Sequence, residues 1–494
     1  MLRNYIKIAF RSLLRDKTYT FINILGLSLG ISTCLVIFLV LRHEMKFDQF
    51  HSQYNSIYRV VRETKNASGL ENSTITPYPF ARAFRNDFSQ IGKVTQLHFQ
   101  EESLMSYGDE KLNVEKILFA DSLFFEVFDF KVLSGNPRVE LGQPGKVFLT
   151  EAFVKKLGNK NIKHIKLDNK IELEVVGIIK TPPATSHIAF EMVVSYPSLT
   201  ADFLGFDLNQ WGLNSSGYTY LVLPNKMTVE SVESQFPAFV KKYYDEEDSG
   251  RQTYLLQPLS AIHFDSVYTE NPGTEAISKT LLIVLGFAGI FILVIACVNF
   301  VNLSTALSIR KSKEVSVRKT LGAQQGQLAI QYLSEAFVLT IIAALISVGA
   351  TELVMPQINS FLGKNISASI IGNGEAFAFL FLVVLFTAFL SGLYPALVLS
   401  KFNPVKALKS RYADQRGASV FLRKSLVVLQ FSIAQILIIC TLVVSSQMNF
   451  FHDNPLGFTK EEVINVAVPE NKAETLEAIR NSLAADANIQ EVSF

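Results

Sequence analysis

The chain has 494 residues, of which 49% are hydrophobic and only 18% are charged, and its net charge is +2. Soluble domains carry about 25% charged residues, so this composition and a mean hydropathy of +0.26 indicate membrane-spanning segments. The near-neutral charge predicts no nucleic-acid surface. Cys34, Cys297 and Cys440 each lie in an apolar run, which excludes a disulfide framework.

Five segments reach the roughly 20 apolar residues that a helix needs to cross a bilayer. They are residues 19–41, 280–303, 328–350, 377–399 and 426–448. A secretory signal peptide is the alternative for the first segment, but its apolar stretch is too long and no small-residue cleavage pattern follows it. Gly26 and Gly30 give this span a G-x-x-x-G face suited to close helix packing, although two glycines by chance explain the pattern equally well.

The distribution of positive charge near the span ends predicts the orientation of the chain. Basic residues are abundant before the first span, between the second and third, and between the fourth and fifth: Arg3, Lys7, Arg11, Arg15, Lys17, Arg310, Lys311, Lys313, Arg318, Lys319, Lys401, Lys406, Lys409, Arg411, Arg416, Arg423 and Lys424. The connection between the third and fourth spans holds Lys364 alone. This alternation predicts a cytoplasmic N-terminus and a large domain on the outer side.

The polar region 45–275 has the pattern of a mixed α/β domain. Half-buried strands are predicted at residues 57–63, 146–150, 171–180, 190–196 and 217–224. Helices are predicted at residues 79–88, 151–157 and 229–244. Residues 180–187 are predicted to turn, because Pro182 and Pro183 cannot donate hydrogen bonds to a strand ladder.

This region shows no pattern of a catalytic, metal or cofactor site. Its histidines lack paired-ligand spacing, which favours structural or surface roles for His51, His98, His164, His187 and His263. The acidic run 245–248 favours a solvated loop over a cation site. No G-x-S-x-G elbow and no phosphate-binding loop is present, and the nearest fragment, residues 142–147, has the wrong spacing. We therefore expect a non-enzymatic chain without cofactor, which would need another polypeptide to bind ATP.

The basic segment between the second and third spans is the candidate functional site. Residues 311–321 predict a short basic helix ended by Gly322, with Val315 and Leu321 available for apolar contacts. One interpretation is a loop whose positive charge only sets the topology. This accounts for the lysines and arginines, but it does not account for a helix that ends at a glycine and is followed at once by another helix. Protein docking is the other interpretation. Glu335, an acid in the first turns of a span, normally requires a partner.

Six segments, in order along the chain, resemble one family. They are NYIKIAFRSLLRDKTYTFINILGLSLGIS (4–32), FDQFHSQYNSIYRV (47–60), VVGIIKTPPATSHIAFEMVVS (175–195), LQPLSAIHF (256–264), RKSKEVSVRKTLGA...QYLSEA (310–336) and SGLYPALVLSKFNPVKALK (391–409). Together they are similar to the MacB-like periplasmic core domain and the FtsX-like permease domain of MacB-type ABC transporters.

The resemblance implies an α-helical membrane permease with an inserted mixed α/β periplasmic domain. The permease helices would lie in the bacterial inner membrane, surrounded by lipid. It implies a homodimer or pseudo-dimer of permease halves, a separate ABC ATP-binding subunit, and a periplasmic adaptor or other envelope protein as a further partner. It also implies that residues 311–322 are a coupling helix that seats on the ATPase, and that the first two spans transmit movement. The residues so assigned are Lys311, Lys313, Glu314, Val315, Arg318, Lys319, Leu321 and Gly322.

Two features depart from the family pattern. MacB carries its ATPase on the same chain, whereas this sequence has none. A four-span permease would stop near Lys409, whereas here a fifth apolar span follows. We expect the domains 1–44, 45–275, 276–410 and 411–448, followed at 449–494 by the start of a second periplasmic domain, as in a partial chain. The expected function is coupling of ATP hydrolysis to efflux or mechanotransmission. The alternative is a regulator that activates an envelope partner such as a cell-wall hydrolase, and a membrane-anchored enzyme or sensor is disfavoured.

Overall fold

The computed structural model describes residues 2–67, 69–160, 162–212, 217–269, 276–400, 416–454, 463–464, 473–486, 489 and 491–493. The chain divides into two units, one formed by Met1–Met45 with Lys279–Pro455 and the other by Lys46–Ser278 with Leu456–Phe494. We call the first the helical unit, and we call residues 46–278 of the second the sheet domain.

The described helices are α1 (Leu2–Arg15), α2 (Lys17–Met45), α3 (Phe80–Asp87), α4 (Phe124–Val127), α5 (Pro137–Glu140), α6 (Glu151–Lys156), α7 (Ala201–Leu204), α8 (Val229–Glu233), α9 (Phe236–Tyr243), α10 (Glu246–Ser249), α11 (Leu259–Ile262), α12 (Lys279–Thr320), α13 (Gln325–Leu362), α14 (Gly374–Ser400), α15 (Arg416–Asp453) and α16 (Ala473–Ala484). The described strands are β1 (Ile57–Asn66), β2 (Gly69–Ser73), β3 (Val94–Tyr107), β4 (Glu110–Ala120), β5 (Val132–Ser134), β6 (Lys146–Thr150), β7 (His164–Leu167), β8 (Ile171–Ile179), β9 (Met192–Ser195), β10 (Gly217–Val222) and β11 (Gln252–Pro258).

Five helices in the described part of the chain are long and apolar enough to cross a membrane. The qualifying segments are Lys17–Met45, Lys279–Leu307, Gln325–Leu362, Gly374–Leu393 and Lys424–Asp453. Each overlaps one of the apolar runs identified in the sequence. The second continues as helix to Thr320, so the expected separate short helix at 311–321 is wrong: this segment is the last part of the 42-residue α12.

Both apolar side chains and small residues pack the helices of the helical unit together. Leu27, Ile31 and Leu35 of α2 are buried in a cluster shared with α12, α13 and α14. Ser28 Oγ donates to the carbonyl of Ala343 at 3.3 Å, and Ser347 Oγ donates back to the carbonyl of Ser28 at 3.0 Å. Lipid is as apolar as leucine, so such close backbone approach and interhelical hydrogen bonds are what favour helix association in a bilayer.

The two glycines of the predicted G-x-x-x-G face differ in their surroundings. A Cβ atom placed on Gly30 would lie 2.7 Å from Ala296 Cβ of α12, whereas one placed on Gly26 would meet nothing within 4 Å. Gly30 therefore allows α2 and α12 to approach closely. Gly26 takes no part in packing with the described residues of this chain.

Helix α15 differs from the other long helices because no residue of its apolar stretch, Lys424–Asp453, is buried. Its contacts are with α12. The predicted second outer domain at 449–494 lies partly outside the described residues, and the main element described there is α16.

The sheet domain is built on one mixed sheet of eleven described strands. The strand order is β11-β1-β10-β3-β4-β9-β6-β8-β5, with β2 paired to β1 and with β7 paired to β3 and β8. The pairs β4–β9 and β6–β8 are parallel, and the other pairs are antiparallel. Mixed pairing of this kind requires connections that cross over the faces, and short helices occupy those connections.

Buried clusters lie on both faces of this sheet. Tyr220 belongs to a cluster with α4 and α11, while the next residue, Leu221, belongs to a cluster with α3, α8 and α9. Successive strand residues point to opposite faces, so these helices cover opposite sides. A third cluster places α6 and α7 over the other half of the sheet. The domain therefore has three layers, with the sheet in the middle.

Most of the predicted strands and helices of this domain are confirmed, and β6 matches its predicted bounds. The helix predicted at 229–244 is wrong as a single element, since α8 ends at Glu233 and α9 begins at Phe236. Pro237 lies in the first turn of α9. If α8 and α9 were one continuous helix, the ring of Pro237 would clash with the carbonyl of the residue four positions earlier. The long hairpin β3–β4 was not predicted.

Four of the five histidines of this domain are buried, namely His51, His98, His187 and His263, whereas His164 is exposed. His51 Nδ1 accepts a hydrogen bond from the backbone N–H of Asp129 at 3.0 Å. Burial lowers the pKa of His51 from 6.5 to about 4. The nearby Asp48 raises this pKa and His187 lowers it further, but both effects are smaller than that of burial. His51 is therefore neutral in the folded domain at physiological pH.

Replacing Gly30 by leucine should destabilise the helical unit by about 1–3 kcal/mol, because the new side chain has to displace Ala296. Thermal unfolding of the detergent-solubilised protein measures the effect. Gly26→Leu is the matched control, four residues along the same helix, and should leave the melting temperature nearly unchanged. Equal losses in both variants would contradict the packing role of Gly30.

Acidification should destabilise the sheet domain through His51. The unfolded chain binds a proton below pH 6.5 but the folded domain binds it only near pH 4, so this stability is complete above pH 6.5 and is lost as the pH falls. The expected loss at pH 5 is about 2 kcal/mol. The fluorescence of Trp211, the single tryptophan of the chain, reports unfolding of this domain.

His51→Gln is the control for this pH dependence, because a glutamine oxygen can still accept from the Asp129 N–H but does not titrate. Its stability should change less between pH 7 and pH 5 than that of the wild type. Parallel pH profiles for the two proteins would show that His51 does not carry the effect.

Candidate functional site

The turn between α12 and α13 is built by one glycine. Gly322 has a φ of +98°, a conformation that L side chains rarely adopt, and it follows directly on the last turn of α12. The N–H of Gly322 donates to the carbonyl of Lys319, and the N–H of Ala323 donates to the carbonyl of Arg318, both at 3.0 Å. These bonds satisfy carbonyls that the helix end would leave unpaired. The helix end expected at Gly322 is confirmed.

Helix α13 restarts two residues later with its own cap. The N–H of Gln324 donates to Oε1 of Gln327 at 3.2 Å, and the Gln324 side chain caps the new helix in return. Arg318 Nη1 donates to Oε1 of Gln331 at 2.8 Å, which joins the two helices across the turn. The turn is thus a rigid corner and not a loose loop.

One side of this corner forms its own small core. Val315 is only 1% exposed and packs with Leu328, with Ala323 and Tyr332 around them. The expectation that Val315 is available to a partner is therefore wrong. Its side chain closes the corner from within, because the chain reverses direction here and brings α13 over it.

Three apolar side chains at the corner are exposed. Leu321 is 82% exposed and Val317 is 57% exposed, and Ile330 on α13 is 49% exposed. Sequence reasoning identified Leu321 but missed Val317 and Ile330. The signal was available for Val317, which lies two residues from Val315 and so faces away from it on a helix.

The basic residues of the segment are only partly described. Arg318 and Lys319 are half-buried beside the exposed apolar residues. The side chains of Lys311, Lys313 and Glu314 lie outside the described part of the structure, although their backbone is helical. We name the exposed residues Val317, Leu321 and Ile330, with Arg318 and Lys319, the corner surface.

Glu335 has the partner that an acid in a span requires. It is 7% exposed, and Ser12 Oγ of α1 donates to its Oε1 at 3.1 Å. Helix α1 packs along α13, and Tyr19 at the start of α2 hydrogen-bonds with Ser304 of α12. Polar contacts thus connect α1, α2, α12 and α13 at the end of the unit where the corner lies. Ser12 could not be predicted as the partner, since it precedes Glu335 by 323 residues.

The other end of the helical unit carries two ion pairs that were not predicted. Lys364 Nζ lies 2.5 Å from Oε1 of Glu44, which is 1% exposed, and Arg42 Nε lies 2.6 Å from Oε2 of Glu375. The first pair joins the end of α2 to the connection between α13 and α14, and the second joins it to the first turn of α14. Beside them is a cavity of about 650 Å³ lined by Arg42, Ser367, Ser369, Gly372, Asn373, Gly374 and Glu375.

The described residues include no cluster of three or more His, Cys, Asp and Glu side chains that could hold a metal ion. The acidic run 245–248 forms the short α10, where Asp245 caps the helix by accepting from the N–H of Asp248 at 2.8 Å. Asp245 thus has a structural role.

Two family profiles match the chain, one after the other. The MacB-like periplasmic core domain matches residues 20–239, and the FtsX-like permease C-terminal domain matches residues 286–404. The first includes α2 and most of the sheet domain, and the second includes most of α12 together with α13 and α14.

Curated relatives match most of the chain at low identity. The uncharacterized ABC transporter permease YknZ of Bacillus subtilis is 21% identical over 428 residues, which cover 82% of this chain and 98% of that protein. The macrolide export ATP-binding/permease protein MacB of Chlorobium phaeobacteroides is 22% identical over 422 residues, which cover 81% of this chain and 60% of that protein.

Solved structures align with part of the chain. A domain of a putative permease protein from Porphyromonas gingivalis aligns at a TM-score of 0.38 and 16% identity, covering 47% of this chain and 98% of that one. The periplasmic region of MacB from Actinobacillus actinomycetemcomitans aligns at a TM-score of 0.31 and 13% identity, covering 42% of this chain and 91% of that one. On its two matched domains and its relatives, the chain belongs to the FtsX- and MacB-type ABC transporter permeases and carries a MacB-like periplasmic core domain.

Proposed function

We propose that this chain is the non-catalytic permease subunit of an inner-membrane ABC transporter, working with a separate ATP-binding subunit. ATP hydrolysis on that subunit moves the helical unit, and α2 and α12 pass the movement to the sheet domain for efflux or mechanotransmission. The observation that carries the proposal is the corner surface, which exposes apolar side chains beside cationic ones at the end of a long unbroken helix.

The corner surface has the composition of a protein-docking site. Leu321 and Val317 expose most of their side chains on a rigid turn, where water contact is unfavourable and a partner could cover them. Burying one such side chain contributes about 1.5–3 kcal/mol to association. The role of residues 311–322 as the ATPase-docking element rests on this exposure and on the family resemblance.

Helix α12 supplies the mechanical connection. It follows directly on Ser278, the last residue of the sheet domain, and it continues without a break to the corner. Its 42 residues span about 63 Å at the rise of an α-helix. A displacement at the corner is therefore carried along one rod. The ion pairs of Glu44 and Arg42 hold the far end of α2 to the same helical unit.

The proposed orientation places the N-terminus and the corner surface in the cytoplasm and the sheet domain in the periplasm. Basic residues are concentrated before α2 and around the corner, as cytoplasmic segments require. The connection between α13 and α14 has only Lys364, whose charge is paired with Glu44.

Replacing Leu321 by aspartate should reduce co-purification of the ATP-binding subunit by about 10-fold or more, because a charged group replaces an apolar side chain that docking would bury. Pull-down from membranes of cells expressing both subunits measures this. The matched control is Ile371→Asp, since Ile371 is 80% exposed in the connection between α13 and α14. Loss of binding in the control alone, or in neither variant, would refute the docking role of the corner surface.

The orientation is tested with single cysteines in a chain whose exposed Cys440 is replaced by serine, while the buried Cys34 and Cys297 are kept. An impermeant maleimide should label Ser367→Cys in intact cells. It should label Gln325→Cys only after permeabilisation, because that site lies at the corner. The reverse pattern would invert the proposed topology.

A further inference from the structure

The segment that follows α2 is anchored in the sheet domain by two neighbouring residues. The ring of Phe47 stacks on the imidazole of His263 with a centroid distance of 3.4 Å and an interplanar angle of 4°. The next residue, Asp48, accepts from the N–H of His187 through Oδ1 at 3.0 Å, and the same oxygen lies 2.9 Å from His187 Nδ1. The N–H of Asp48 donates to the carbonyl of Thr185 at 2.8 Å.

From His187 a chain of polar side chains crosses three strands. His187 Nε2 is 3.0 Å from the hydroxyl of Tyr220 on β10. Tyr220 lies directly opposite Arg59 of β1, and the two side chains interact. Arg59 in turn lies opposite Gln257 of β11 and donates from Nε and Nη2 to its Oε1 at 3.0 and 2.7 Å.

This series of polar side chains ends in the segment that precedes α12. Gln257 Nε2 donates to Oδ2 of Asp265 at 2.7 Å. Asp265 is two residues from His263, whose carbonyl accepts from the N–H of Ile277 at 2.8 Å, and α12 begins at Lys279. Because His263 also stacks on Phe47, the contacts form a closed loop. We call this set, from Phe47 and Asp48 through His187, Tyr220, Arg59 and Gln257 to Asp265 and His263, the closed network.

Most polar side chains of the closed network are almost completely buried. Asp48, Arg59, His187 and Tyr220 are 0% exposed, and His263 is 2% exposed. Removing charged groups from water is unfavourable, and an apolar core of the same shape commonly gives equal or greater stability. What a buried polar network adds is a unique geometry, since a shift separates buried charged groups from their partners.

We propose that the closed network makes the two segments joining the sheet domain to α2 and α12 move as one body, with Arg59 and Tyr220 as positioning residues. This inference rests on the coupling function proposed above. Movement of either helix then reaches the domain through both attachments together, and the domain is displaced as a whole.

Two conservative substitutions open the closed network at different places. Tyr220→Phe removes the hydroxyl between His187 and Arg59 without changing the ring, and Phe47→Leu removes the stack on His263. The control is Tyr218→Phe, two residues away on the same face of β10, whose ring meets Phe99 edge-on at 5.9 Å. All variants are made in the full chain and reconstituted with its ATP-binding subunit.

Hydrogen–deuterium exchange without nucleotide is the first measurement. Tyr220→Phe should speed exchange in residues 259–268 by about 10-fold, the factor that corresponds to a lost interaction of about 1.4 kcal/mol. Tyr218→Phe should not. If the two variants exchange alike, the proposal is overturned whatever the ATPase does.

The second measurement compares exchange with and without ATP and vanadate. In the wild type, residues 46–51 and 259–268 should change together, and in the combined Phe47→Leu, Tyr220→Phe variant only one segment should respond while ATP hydrolysis continues. A joint response in that variant would reduce the network to a structural role and overturn the proposal. A wild-type complex whose sheet domain ignores nucleotide would instead refute the proposed function, and this inference with it.

Discussion

The unbroken helical backbone of α12 is the constraint on which the rest of the structure depends. It begins at Lys279 and runs for 42 residues to Thr320. The glycine turn at Gly322 and the Arg318–Gln331 hydrogen bond then fix the direction in which α13 returns. Because α2 is packed against α12 through Gly30 and Ala296, the two helices that bracket the sheet domain belong to one rigid unit.

Buried polar groups mark the places where this rigidity is specified. Glu335 with Ser12, Glu44 with Lys364, Arg59 with Gln257 and Asp48 with His187 are each separated by at least 139 residues in sequence. Apolar contacts tolerate small shifts, whereas a buried charge loses its partner when the geometry changes by an ångström or two. Such pairs therefore fix the geometry of the unit in which they lie, and they occur in both units, each within its own.

The candidate site shows where sequence reasoning succeeds and where it stops. Gly322 was recognised as a helix end because positive φ is a local property of one residue. The short separate helix was wrong, since the basic run after the apolar one looked like a new element although the helix continues through both. Val315 and Val317 are chemically alike in sequence, and only the return of α13, with Leu328, decides that the first is buried while the second stays exposed.

By itself the sequence determined the five long apolar helices, most strands of the sheet domain and the location of the turn, because hydropathy, alternation and glycine act over a few residues. It could not determine which polar groups pair, which glycine packs or which valine is exposed. Those outcomes depend on residues brought together from distant parts of the chain. Tertiary structure alone decided that Gly30 and not Gly26 contacts α12, that Phe47 stacks on His263, and that Asp48 pairs with His187.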